Sequence, residues 1–511
     1  MLDRVHLQLA VCKLREQLQR WVGLVWWLFA LNACAGDASS GELLTNDIRA
    51  RIQEVQQFLS GNTPTPSQLP SLALIYSPRN FAPLWIRDGV PTAQAIALIR
   101  VLCSAENYGL RSVEYLDCPH FEQLLGAPRA PGQSPPLANV EFDMGLTTVA
   151  LRFLRDIHFG RVDPRQAGFD ISFERSPLRY AEILSELSTT SDIAPVLASL
   201  EPSFRHYLLL KESLARYRSL ASGQAIATPA ELRSAPYDRR IRQIELTLER
   251  WRWLPAFTTP PIIVNIPQFR LFAFQSTRDL KTEILQMDVI VGRTFPKLRT
   301  PVFAADLQYV VFRPYWDIPH SITQKEMLPE LRSKPDFWKK QHLEIVDGPG
   351  DSAPVVPFSS HNLDLLAAGK LRLRQQPGPD NALGLMKFIL PNPYNVYLHS
   401  TPAHRLFNQA RRAFSHGCIR VSDPVALASQ VLRNAADTWT PEAIAAAMSG
   451  PDATDARRVT LKTPIRVLIL YGTALAQEDG SVLFFDDIYG HDRKLEGLLR
   501  LPVLMAERSH M

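Results

Sequence analysis

Cysteine is scarce in this chain, five residues in 511, and Cys418 stands inside Ser415-His416-Gly417-Cys418, with His399 nineteen positions upstream. A thiol beside a glycine and within reach of a histidine has the parts for acyl transfer. The histidine takes the proton, the glycine lets backbone close on a substrate, and the sulfur carries the acyl group. A thiol attacks only as its thiolate, and with an unperturbed pKa of about 8.5 it needs a base and N–H groups aimed at the sulfur. Val396-Tyr397-Leu398-His399 reads as a short strand that puts Tyr397 and His399 on one face. Ser415 to Cys418 reads as a tight turn leading into a strand at Ile419-Arg420-Val421. In such a turn the N–H groups of His416, Gly417 and Cys418 can converge on a developing oxyanion, and losing one such donor typically costs about 2.7–4 kcal/mol of barrier height.

The same residues have blander readings. A lone cysteine is often a small buried hydrophobe. Cys418, His416, His404 and His399 could instead be zinc ligands, although no second cysteine lies at ligand spacing from Cys418. Arg411, Arg412 and Arg420 could form only a solvated basic edge, and Ser400 could be an ordinary surface residue.

The full string Ser415-His416-Gly417-Cys418-Ile419-Arg420 behind His399 resembles the active-site signature of the L,D-transpeptidase catalytic domain, which cross-links bacterial peptidoglycan. The resemblance implies Cys418 as nucleophile and His399 as general base, with Ser400 orienting His399 through its main-chain carbonyl. It implies His416, Gly417 and Cys418 as the oxyanion hole, and Tyr397, Ser415, Arg420 and Trp316 as substrate-binding residues. Val264-Asn265-Ile266-Pro267 is similar to the family's first catalytic strand, and Val289 to Gly292 with Arg299-Thr300-Pro301 to the next strand and turn. Phe312 to Pro319 resembles the strand that leaves the sheet toward a lid. Asn381 to Gly384 with Lys387-Phe388 resembles the return into the sheet, and Asp486 to Gly490 the closing segment. The resemblance further implies meso-diaminopimelate-type stem peptides as substrate, no cofactor or metal, and inactivation by carbapenems. With the same thiol, water as acceptor would give an L,D-carboxypeptidase or hydrolase. A wall-binding scaffold that has lost catalysis is the reading from another class.

The elements that would hold this site come from the rest of the chain. Apolar residues at 46%, charged residues at 21% and a net charge of +5 describe an ordinary globular protein, long enough for several domains. No Lys/Arg run reads as a nucleic-acid stripe, and the mild basicity suits an anionic wall polymer. Arg4, Lys13, Arg15 and Arg20 precede an apolar run from Trp21 to Ala33, and Ala33-Cys34-Ala35 offers a cleavage site. Residues 1–35 are therefore expected to be a signal peptide or a membrane anchor, with a lipidation box as a fainter alternative. The expected location is the periplasm of a Gram-negative bacterium, with other wall-synthesis enzymes as partners. In an oxidising compartment Cys103 and Cys118 could pair, leaving Cys418 free.

The expected fold is α+β. Residues 36–240 form an α-helical scaffold domain, whose Asn80-Phe81 with Pro83-Leu84-Trp85, and Arg155 to Arg161, resemble the large family members. A peptidoglycan-binding module, marked in those members by a Phe-Gln pair and an Asp-Gly turn, is expected to be absent or reduced. Helices are expected near 42–60, Ala93–Cys103, Glu141–His158 and Ile241–Trp253. Residues 241–500 form a catalytic domain on a mixed, mostly antiparallel sheet. Within it, about 320–375 is expected to be helix and loop, and either a lid over the site or a plain connecting insertion.

Overall fold

In a computed structural model of the chain, the described residues are 44–53, 70–119, 121, 140–171, 177–254, 259–274, 283–435, 438–449 and 455–500. The apolar N-terminal run, the 61–67 linker, Val55, Phe58 and the Pro/Gly-rich stretch after 121 lie outside them. The described residues fall into two compact units. One runs to Arg161 and resumes from 177 to Pro202; the other holds Val162 to 171 and the chain from Ser203 onward.

The first unit is helical. Its main elements are α1 (44–53), α2 (Ala93–Leu102), α3 (Val140–Phe159), α4 (Tyr180–Leu187) and α5 (Ala194–Leu200). Thr92 caps α2 by accepting the Ala95 N–H, leaving Leu98, Ile99 and Leu102 to the core. Along α3 the sequence predicts Phe142, Leu146, Val149, Phe153 and Ile157 inward, and all are buried but Val149, which is half-buried against the same core. The helix stops at Gly160, whose φ of 83° lies in the left-handed region that glycine enters without strain. Beneath it Asp143 is fully buried and accepts from Tyr76 Oη at 2.6 Å, Trp85 N at 2.7 Å and Leu84 N at 3.1 Å. Cys103 and Cys118 form a disulfide with Cα atoms 5.5 Å apart.

The second unit starts earlier than the sequence boundary at 241. Helices α6 (Arg205–Ala221) and α7 (Tyr237–Arg252) send Tyr207, Leu210, Leu214, Ile244 and Leu248 into the same apolar core as the sheet. Their burial there, against sheet residues such as Ile263 and Leu468, assigns them to this unit.

The sheet is built from β1 (Ile262–Asn265), β2 (Arg270–Phe274), β3 (Glu283–Gly292), β4 (Phe303–Phe312) and, after an insertion, further strands. The insertion supplies β5 (Trp316–Asp317), β6 (Leu343–Val346), β7 (Val355–Val356) and β8 (Arg372–Gln375). Then come β9 (Met386–Ile389), β10 (Leu398–His399), β11 (Ala413–Ser415), β12 (Ile419–Val421) and β13 (Arg457–Leu470). The order is β11-β3-β12-β10-β9-β4-β13-β1-β2. A further β2·β3 pairing joins the last strand to the second, so the sheet closes on itself, with β11 as a branch beside β3. The β10·β12, β3·β11 and β1·β13 pairs are parallel and the rest antiparallel, as the mixed, mostly antiparallel expectation has it.

Between β5 and β8 the chain forms its own small layer. The expectation of helix and loop is incomplete here, because β5, β8, β6 and β7 pair in that order as a four-stranded antiparallel sheet. The alternation in Leu371-Arg372-Leu373-Arg374 is the signal for β8. Ile318, Ile322, Leu331, Ile345, Leu366 and Leu373 give the insertion a separate apolar cluster.

Candidate active site

Strand register brings the sequence candidates together. In the parallel pair β10·β12, Leu398 lies opposite Ile419 and His399 opposite Arg420, and the Ile419 N–H donates to Tyr397 O at 3.0 Å. Leu398, Ile419 and Val421 face the core. Side chains alternate along a strand, so Tyr397, His399, Cys418 and Arg420 occupy the opposite face, with His399 and Cys418 diagonal to one another. Antiparallel β9 adds Lys387, directly opposite His399.

His399 is almost fully buried. Its Nδ1 lies 2.6 Å from Ser400 O. A carbonyl can only accept, so Nδ1 carries the hydrogen and Nε2 keeps a lone pair. Burial is the main force lowering the imidazole pKa, to about 3, with the charge of Arg420 adding to it and the carbonyls of Ser400 and Leu383 opposing it. The ring is therefore a neutral acceptor at physiological pH. Ser400 is fixed in turn: its hydroxyl accepts the Met386 N–H at 2.9 Å and donates to Leu383 O at 3.1 Å. Gly384, at φ 63°, makes room for it, since a Cβ there would come within 2.3 Å of Ser400 Oγ.

Cys418 is the free cysteine among the described residues and is half-buried. Its thiol donates to Asn395 O at 3.6 Å. Burial pushes its pKa up, while the backbone N–H and phenol of Tyr397 and the charges of Lys387 and Arg420 pull it down. Burial thus favours the neutral thiol and the neutral imidazole over their charged forms. Tyr397, whose own ionisation burial pushes far up, has Cys418 and Trp316 bearing on its phenol, and its ring meets His399 edge-on at 5.8 Å. Trp316 thus comes to the site from the first strand of the insertion. The Arg420 guanidinium is half-buried, with Nε lacking any hydrogen-bond partner.

The turn differs from expectation in one donor. Gly417 adopts φ 125°, a conformation that favours glycine, but its N–H donates to Ser415 Oγ at 3.1 Å and is engaged within the turn. Ser415 Oγ donates to Cys418 O at 2.5 Å, so this residue braces the turn. Thr300 donates to Gly417 O at 2.7 Å and accepts from Gly292 N at 2.8 Å, while Tyr489 donates to Gly292 O at 2.6 Å. The amides of His416 and Cys418 have no such partner within the turn. The His416 ring meets Glu326 of the insertion, Nε2 to Oε1 at 2.8 Å. Among the described residues no three His, Cys, Asp or Glu side chains converge as a metal set.

Sequence reasoning missed three contributors: Lys387, Thr300 as the brace of the turn, and Glu326 as the partner of His416. A lone lysine between Met386 and Phe388, both core residues, was the available signal for the first.

Comparison with known proteins finds matches to two families. Residues 70–214 match the family described as a scaffold domain, and residues 260–467 match the L,D-transpeptidase catalytic domain. A Haemophilus influenzae protein named "Putative L,D-transpeptidase" is 33% identical over 258 residues, which cover 50% of this chain and 49% of that protein. The match thus spans about half the length of the curated relative.

Proposed function

From a chain whose residues 260–467 match the L,D-transpeptidase catalytic domain, behind a scaffold-domain match at 70–214, we infer a peptidoglycan enzyme that forms 3→3 cross-links through a thioester on Cys418. The observation that carries this is the neutral His399, its Nδ1–H held by Ser400 O and its Nε2 lone pair on the face shared with Cys418.

The chemistry follows from the resting protonation states. Cys418 Sγ attacks the carbonyl at the L-centre of the third stem residue while its proton passes to His399 Nε2. Transfer accompanies attack because neither group is ionised beforehand. The amides of His416 and Cys418 and the Tyr397 hydroxyl stabilise the oxyanion. As the tetrahedral adduct collapses, the terminal D-alanine amine takes the proton from His399 and leaves. A second stem's amine, of meso-diaminopimelate type, loses its proton to His399 and attacks the thioester. The new amide forms and the thiol is restored. Arg420 and Trp316 line the stem-peptide site, and the 320–375 insertion acts as a lid that keeps water from the thioester. The Cys103–Cys118 disulfide supports a periplasmic location.

The test combines intact-protein mass spectrometry after carbapenem treatment with muropeptide analysis of treated sacculi. Wild type takes up one adduct and makes 3→3 dimers, and Cys418→Ala does neither. Adduct formation on Cys418→Ala would overturn the nucleophile. Free tripeptide without dimers would transfer the reading to a carboxypeptidase.

A further inference from the structure

Lys387 enters the site from β9, opposite His399. It is half-buried, and its Nζ lies 4.3 Å from the centroid of the Tyr397 ring. Among the described residues it makes no ion pair. The acid that bears most on it, Asp317, is already paired with Arg372. A desolvated ammonium beside a thiol, without a carboxylate of its own, is a costly arrangement unless a negative charge appears there during the reaction.

We propose that Lys387 is a positioning residue for the negative charge that grows on the Cys418 sulfur as its proton leaves, acting through space and through the Tyr397 phenol that it covers. The cation over the ring draws electron density from the phenol and makes its O–H a stronger donor. Tyr397 stands beside the Cys418–Ile419 segment in the β10·β12 pairing, and the ammonium lies above its ring, so the phenol stands between cation and sulfur. This rests on Cys418 being the nucleophile, as inferred above.

The charged groups bearing on this cluster are few. Arg420 on β12 bears on the sulfur, with Arg293 beside it, and Asp317 and Asp351 of the insertion bear on Lys387. The acids offset part of the lysine charge, and Arg420 adds to it. Burial lowers the lysine pKa and the thiolate opposes that, so the two charges support one another and the coupling is reciprocal.

The test is the pH dependence of Cys418 alkylation by iodoacetamide in the full chain, a neutral probe that needs no wall substrate. Lys387→Met and Lys387→Gln are expected to move the alkylation midpoint up by about one pH unit and to slow alkylation at neutral pH about tenfold. Lys387→Arg is expected to stay within about threefold of wild type. An unchanged profile in the neutral variants overturns the proposal. So does a loss confined to carbapenem acylation, which would make Lys387 a partner of substrate carboxylate. If both neutral variants fail to fold, the proposal also falls, because the ammonium then supports the sheet. Failure of the transpeptidase reading is seen separately, as absence of 3→3 dimers from a wild type whose thiol still alkylates.

Discussion

The Asp143 network of the helical unit and the Cys418 site of the sheet unit each bury groups whose ionisation burial disturbs, and they finish them differently. In the helical unit burial raises the pKa of Asp143, yet the carboxylate is met by Tyr76, Leu84 N and Trp85 N, and Thr147 links the Tyr76 hydroxyl to the Trp85 indole. Its hydrogen bonds close on one another. Around Cys418 the groups stay open: among the described residues Lys387 has no ion pair and Arg420 Nε no acceptor, and His399 Nε2 holds a lone pair. A closed network stabilises a fold, whereas an open one keeps its polar groups for a substrate.

That contrast can be broken experimentally. The largest effect expected is from His399→Gln, which should slow acylation of Cys418 by about 10²–10⁴-fold, read by carbapenem adduct formation over time, while thermal unfolding shifts less than in the next variant. Asp143→Ala should destabilise the helical unit by about 3 kcal/mol, because it strands several buried donors, read as a lower denaturation midpoint with the alkylation rate of Cys418 unchanged. A reversal of these two patterns would show that openness does not mark the site.

The subtlest expectation concerns pH. Burial raises the Cys418 pKa, so the thiolate fraction grows as pH rises and the alkylation midpoint should lie on the alkaline side of a free cysteine. His399, lowered to about 3, stays neutral as pH falls through the usual histidine range. Acylation should therefore show no separate acid step near pH ~6.5, where an unperturbed histidine titrates. A clear step there would mean that the imidazole is solvated and the site looser than described.

Much of this site was legible in the chain. The candidate thiol and its turn stood in one string, with the candidate histidine nineteen positions upstream, and α3 followed from the spacing of Phe142, Leu146, Phe153 and Ile157. The insertion's strands were harder to read, because β5 and β7 span two residues each and owe their existence to partners. Gly417 shows another limit. The tight turn around it was visible, whereas the capture of its N–H by Ser415 Oγ depends on how the turn closes. Helices α6 and α7 carried amphipathic patterns, but a pattern does not say which core it faces.

The sequence alone determined the residue types and their local order: a thiol behind a glycine turn, a histidine on a strand, and apolar stripes at helical spacing. These are signals of short range, set by backbone sterics and side-chain alternation. Only the tertiary structure decided that β9 lies beside β10, and so that Lys387 stands over Tyr397 and opposite His399. It also decided that the site is dry enough to hold the imidazole neutral. Strand register and burial both depend on residues far apart in the chain, and desolvation arises only once the sheet has closed around them.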